Sequence, residues 1–263
     1  MPVVVTGASG PVGQALIPRL VAAGSEVRAV VRRQAEADPL RELGAKVAVG
    51  DATNPDLLPA VLRDAHTLCH LVDGLFLDEE DYFPTIAGAT EAIVTAAKEA
   101  ELSRILFLSY PGAHPASSNA YLRAMGVAEE AVRASTIEHF IVRSTLILAR
   151  EAPWPAVLGP GSQRVAPVFV GDVAGVLAEA DDRAQPATGT FGLQGSDALT
   201  ARELVSLLGR RGRVRLRKPR ISQAAAEVLA SDSLADAPDA AAEFGVKLTP
   251  LRQALQASGF IST

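Results

Sequence analysis

The chain has 263 residues, 48% hydrophobic and 21% charged, with 21 Gly and 17 Pro. These proportions exclude a disordered or fibrous chain and suit one large domain, or a main domain with a small annex. A single cysteine, Cys69, excludes an intrachain disulfide, and no Cys/His group has zinc-site spacing. The net charge of −5 hides an asymmetry: residues 210–220 carry seven of the 25 basic side chains, leaving 18 against 30 acidic ones elsewhere, a net −12.

The amino terminus, Met-Pro-Val-Val-Val-Thr-Gly, has neither the basic leader nor the long apolar stretch of a secretion signal. Arg143 interrupts the most apolar stretch, Phe140 to Ala149, well short of the roughly 18 residues a membrane span needs. The expectation is a cytoplasmic protein with no membrane partner.

From residue 1 to about 143 the sequence repeats a short β-branched apolar run followed by an amphipathic stretch. The runs predict strands at Val3–Val5, Val27–Val31, Lys46–Val49, Thr67–Val72, Arg104–Leu108 and His139–Val142. Between them the periodicity predicts helices near 11–23, 38–43, 55–63, 82–100 and 118–134. Nearly continuous apolar strands are buried on both faces, and the intervening helices supply the crossovers that parallel strands need. The pattern is that of a doubly wound (Rossmann) α/β sheet, with residues 1–143 as a nucleotide-binding core.

Beyond Arg143 the rhythm breaks. Residues 151–165 are rich in Pro and Gly and hold the only tryptophan, Trp154; shorter helices are predicted at 172–180, 201–208 and 250–257, and in part over 224–242. Residues 144–263 are expected to form a small lobe that covers the carboxyl edge of the sheet within the same structural unit. Gly159-Pro160-Gly161 and Trp154 are candidates to line its cleft, with a plain loop as the alternative.

Thr6-Gly7-Ala8-Ser9-Gly10-Pro11-Val12-Gly13 lies between the first strand and the first helix. Glycine permits a tight turn at Gly7, close approach of a diphosphate at Gly10, and close helix packing at Gly13. Pro11 suits the first helical turn, where its missing N–H costs nothing, and with Ser9 and Val12 it borders the unpaired amides and positive helix end that would face an anion. The spacing is one residue longer in its first gap than the commonest dinucleotide fingerprint.

At the end of the second strand, where an NAD-binding chain usually places a carboxylate, the sequence reads Val30-Val31-Arg32-Arg33. Two guanidiniums match a 2′-phosphate through forked, charge-assisted bonds. NADP is therefore expected over NAD, a solvated loop being the competing reading. Asp51, followed by Ala52, is placed to accept from an adenine amino group, because Asn54-Pro55 is the better pair to start the next helix. Val72, at the end of the fourth strand, completes the expected coenzyme-binding set.

Together these residues resemble the short-chain dehydrogenase/reductase superfamily, specifically its atypical NmrA-like members and their NAD-dependent epimerase/dehydratase relatives. Phe107-Leu108-Ser109, Ile141-Val142-Arg143 and Val168 to Ala174 share the likeness, which runs from residue 1 to about 208. The resemblance implies a tyrosine four residues before a lysine, and a serine at the preceding strand end, as the proton-transfer set. Ser109 and Tyr121 match those positions, but Met125 stands where the lysine is expected. Tyrosine titrates near 10 and needs a neighbouring cation to act at neutral pH. Tyr121, Met125, Ala128 and Val132 also form a plain buried stripe.

Asp73 follows the fourth strand without a role that the residues define. His66 and His70 read as core or edge residues, and His114 as a loop candidate for substrate contact. The run 211–218 alternates charge with small or apolar residues and reads as a solvated edge strand. Nucleic-acid binding is disfavoured by the acidic remainder and by the absence of an aromatic within the run.

The expected function is NADP(H)-dependent reduction of a small organic acceptor such as a quinone, with a non-catalytic NADP(H)-binding regulator as the alternative. Predicted helices 82–100 and 118–134 offer a dimer face, so a monomer or a homodimer is expected.

Overall fold

The computed structural model describes residues 1–71, 74–150, 160–184, 188–209 and 221–261. Seven parallel strands form the central sheet. In chain order they begin with β1 (Pro2–Thr6), β2 (Glu26–Val31), β3 (Lys46–Val49), β4 (Thr67–His70), β5 (Arg104–Ser109) and β6 (Glu138–Ser144). Three two-residue strands follow, β7 (Ile147–Leu148), β8 (Arg164–Val165) and β9 (Val168–Phe169), before β10 (Gly189–Leu193) completes the sheet. A last short strand, β11 (Leu199–Thr200), pairs with β8.

Across the sheet the order is β10-β6-β5-β4-β1-β2-β3. The chain winds one way from β1 to β3 and the other way from β4 onward. The reversal falls between β1 and β4, where Thr6 pairs with His70. Ligands of doubly wound sheets bind in the crevice that such a reversal opens at the carboxyl ends of the strands.

Helices cover both faces. On one lie α1 (Pro11–Ala22) and α6 (Val170–Asp182), packed over Val3, Val5, Leu106 and Val142. On the other lie α3 (Leu58–Leu62), α4 (Ala89–Glu99) and α5 (Ala120–Ala134), over Val4, Leu68, Ile105, Phe107 and Ile141. Alternate residues of each strand thus feed opposite cores, and each fully buried Leu, Ile or Phe contributes about 1.5–3 kcal/mol relative to exposure.

Three expectations need correction. The sheet does not end at residue 143: β10 adds its seventh strand and α6 packs against α1. Gly189-Thr190-Phe191-Gly192-Leu193 lacks the β-branched run that marks the other strands. The stretch 82–100 is not one α-helix, because Phe83–Gly88 forms a π-helical segment containing Pro84 before α4 begins. Finally, Asn54-Pro55 does not open α3. The Asn54 side chain accepts from the Asp56 amide and its carbonyl from Leu57 and Leu58, so the helix starts three residues later.

The short α2 (Ala37–Glu42) links β2 to β3, while α7 (Ala201–Gly209), α8 (Gln223–Ala230), α9 (Ala240–Glu243) and α10 (Leu251–Ala257) belong to the carboxyl-terminal part. Among the described residues no helix is long and apolar enough to cross a membrane. The run 210–220 and Trp154 lie outside the described residues.

Candidate functional site

The glycine loop turns directly over the β1/β4 reversal. Gly7 has φ +69°, and a Cβ there would lie 2.2 Å from the Leu71 carbonyl oxygen. Gly13 is equally constrained, since a Cβ would sit 2.4 Å from the Ala8 carbonyl oxygen. At Gly10, by contrast, a Cβ would meet only the Gly7 carbonyl oxygen, at 3.2 Å. Pro11 occupies the first turn of α1, and Gly10 provides no side-chain cap. The amides of Val12 and Gly13 therefore point out of the helix with no intrahelical acceptor, at its positive end. Ser9 takes part through its carbonyl, which accepts from Gln14 Nε2 at 2.8 Å. Unpaired amides beside glycine backbone fit a diphosphate.

The two arginines after β2 differ. Arg33 bonds Glu36 through Nε at 2.9 Å and Nη2 at 2.5 Å. Arg32 is exposed and carries no ion pair among the described residues, and its charge reaches Asp51. Asp51 Oδ1 accepts from both the amide and the hydroxyl of Thr53, at 2.8 and 2.6 Å. Those bonds, with the Arg32 field, hold its carboxyl below the usual carboxylate range. Asp51 is thus anchored in its own turn rather than unengaged. Ala52 follows it, partly buried against the core. Val72 and Asp73 lie outside the described residues.

Beneath the reversal, His70 is buried between Thr6 and Thr90. The Thr90 hydroxyl donates to the Ile86 carbonyl, so it accepts from His70 Nε2–H; Nδ1 is then the acceptor of the Thr6 hydroxyl. Burial lowers the His70 pKa from 6.5 to about 4. His70 is a satisfied core histidine beneath the site. His114, in the β5–α5 loop, accepts from the Ala116 amide through Nδ1.

Ser109 ends β5 with its hydroxyl donating to Glu129 Oε1 at 2.6 Å. Glu129, fully buried in α5, also binds Arg143 in a two-point fork, both distances 2.8 Å, and Arg133 at 2.6 Å. Arg143 extends to the Ala113 carbonyl and to Asp236 Oδ2, which accepts from the Gly112 amide as well. Sequence reasoning missed Glu129 and Asp236. The one available signal was a glutamate within the otherwise apolar face of α5.

Tyr121 is 4% exposed and packs edge-on against Tyr82 and Tyr110, at centroid distances of 5.5 and 5.9 Å. Met125, one turn on, is buried beside it in the same core. The Tyr82 and Tyr110 hydroxyls reach Ser222 and Ser233, on either side of α8. Burial pushes the Tyr110 phenol up to about 12. Arg123 is turned to the Ser117 and Ser118 carbonyls. Ser109 thus bonds into an ion cluster, while Tyr121 packs against two aromatic rings.

A doubly wound sheet, a glycine loop at its winding reversal and an uncapped helix start define a dinucleotide-binding protein. Residues 7–183 match the NAD(P)H-binding family, and the chain belongs to that family. It spans well under two thirds of the length of several of the curated relatives it matches, which include reductases. An NAD(P)H azoreductase of Xenophilus azovorans is 27% identical over 252 residues, 89% of this chain and 84% of that protein. A 2-alkyl-3-oxoalkanoate reductase of Shewanella oneidensis is 32% identical over 111 residues, 41% of this chain but only 28% of the relative's length. In fold, the chain is similar to Citrobacter sp. triphenylmethane reductase complexed with NADP(H). The TM-score is 0.76 at 21% identity, over 98% of this chain and 100% of that one.

Proposed function

We propose that the chain is an NADP(H)-dependent oxidoreductase acting on a small organic acceptor such as a quinone. The observation that carries this reading is the uncapped start of α1 at the β1/β4 reversal, beside an Arg32 that stands outside every ion pair among the described residues. Gly7, Ser9, Gly10, Pro11, Val12 and Gly13 would hold the diphosphate. Arg32 would take the 2′-phosphate, and Asp51 and Ala52 would border the adenine. Arg33 has the weaker claim, because Glu36 already holds its guanidinium. The coenzyme supplies the hydride when bound.

The chain's own groups favour an acceptor that asks little of a protein acid. The single Ser109 proton is directed at Glu129, so this hydroxyl has none to give a carbonyl oxygen. Tyr121 has Met125 at the position where its family partner would be lysine. These same facts support the second reading, an NADP(H)-binding regulator without turnover, since both candidate proton-transfer groups are committed to the interior. The azoreductase and ketoacid-type reductase relatives support the enzyme.

Absorbance-monitored oxidation of NADPH with quinones, flavins and carbonyl compounds separates the two readings. Turnover with any of them favours the enzyme; tight binding with none favours the regulator. For the coenzyme, Arg32→Ala is expected to weaken NADPH by about 1.5–3 kcal/mol, the range for a hydrogen bond to a charged group, and to leave NADH nearly unchanged. Equal losses in calorimetry would defeat the 2′-phosphate assignment.

A further inference from the structure

The segment 231–239 crosses the carboxyl ends of β5, β6 and β10, the edge where the acceptor must arrive. Ser233 exchanges backbone bonds with the β8 region, through Arg164 and Ala166, and its hydroxyl meets Tyr110 just beyond β5. The Ala235 amide donates to Gln194 Oε1, and Gly192 of β10 donates to the Pro238 carbonyl. At the centre of this strap, Asp236 Oδ2 accepts from Arg143 Nη1 at 2.9 Å and from the Gly112 amide at 2.7 Å. Through Arg143, the strap is joined to Glu129 and so to Ser109.

We propose that Asp236 latches this strap to Arg143 and thereby fixes the acceptor side of the cleft, making Asp236 and Arg143 positioning residues for acceptor binding. The proposal rests on the oxidoreductase reading above. Three features of the geometry carry it. First, the latch is the point where the carboxyl-terminal segment meets a charge buried in the sheet edge. Glu129 holds Arg143 in a two-point fork but is shared with Arg133, so Asp236 supplies the second carboxylate for the two guanidiniums. Second, Asp236 is the more exposed partner, with a third of its side chain accessible against 16% for Arg143. It can therefore be removed without leaving a fully buried charge unpaired. Third, the Gly112 amide ties the same carboxylate to the loop that follows β5, so the strap and that loop are fixed together.

The test compares the full chain with Asp236→Ala and Asp236→Glu. Hydrogen exchange over 231–239 is expected to quicken about tenfold in Asp236→Ala, as one charge-assisted hydrogen bond is lost. With 1,4-naphthoquinone as acceptor, KM is expected to rise several-fold while the calorimetric affinity for NADPH stays within about twofold and kcat changes less than KM. Asp236→Glu restores part of both effects. Unchanged exchange over 231–239 overturns the latch. Faster exchange with an unmoved acceptor KM overturns its positioning role. If the unsubstituted chain binds NADPH but turns over no acceptor, the enzyme reading fails, and the latch is decided by exchange alone.

Discussion

At the carboxyl end of β1, the chain prepares its edge with backbone. Gly7 and Gly13 leave no room for a side chain, Gly10 is tight only against the Gly7 carbonyl, and α1 starts without a cap. At the ends of β5 and β6, the same edge is held by side chains: Ser109, Glu129, Arg143 and Asp236 form one bonded chain drawn from four separate segments. The first region needs small residues at fixed local spacing, whereas the second needs charges that meet only after folding. Substitutions should therefore act differently at the two ends. Loss of a charge in the second region exposes a buried partner, whereas an added methyl in the first displaces backbone.

The largest effect is expected from Arg143→Met. It strips the fully buried Glu129 of its two-point partner, and breaking such a pair costs about 3–5 kcal/mol. Urea unfolding measures this directly; a loss below 1 kcal/mol would mean that Arg133 alone carries the neutralisation. In the other region, Gly7→Ala combines positive φ with a Cβ driven onto the Leu71 carbonyl. About 3 kcal/mol is expected from strain and overpacking together, with coenzyme affinity falling alongside stability. Undiminished NADPH binding by this variant would detach the loop from the coenzyme.

This contrast also explains what was legible in the sequence. The six strands from β1 to β6 and the glycine loop announce themselves within windows of a few residues: β-branched runs, then glycines before an amphipathic stretch. β3 matches its expected limits, Lys46–Val49, because both of its ends are marked by glycine or charge. β10 carried no such mark, since its place depends on pairing with β6 from about 50 residues earlier. The Glu129–Arg143–Asp236 chain was invisible for the same reason: its members are 14 and 93 residues apart. Residues 83–88 misled differently, since their helical periodicity was right while the hydrogen-bond step was wide.

His70 sits between the two regions and gives the comparison a pH axis. Its pKa falls from 6.5 to about 4 on folding because burial disfavours the imidazolium. A lowered histidine pKa means that the unfolded chain takes up the proton first. The stabilisation is complete above pH 6.5 and is lost as pH falls toward 4, up to about 3 kcal/mol for this group. Unfolding free energies compared at pH 7 and pH 4.5, for the native chain and His70→Gln, isolate this slope. Parallel lines for the two proteins would assign the acid sensitivity to other groups.

The smallest effect is expected where the family resemblance would place the largest. Tyr121→Phe keeps the ring that packs edge-on against Tyr82 and Tyr110 and removes only the phenolic oxygen. With 4% of the residue exposed and Met125 one turn away, the ring of Tyr121 is fixed by packing within this core. A proton donor must reach the reacting atom and return its charge to a stabilising neighbour, and the residue at the family's lysine position supplies no charge. Acceptor reduction is therefore expected to stay within about threefold of the unsubstituted rate, and stability to fall by about 1 kcal/mol, the net worth of one hydrogen bond. A hundredfold fall in kcat with unchanged stability would make Tyr121 a catalytic acid. It would also place the chemistry among the aromatic rings rather than beside the ion cluster.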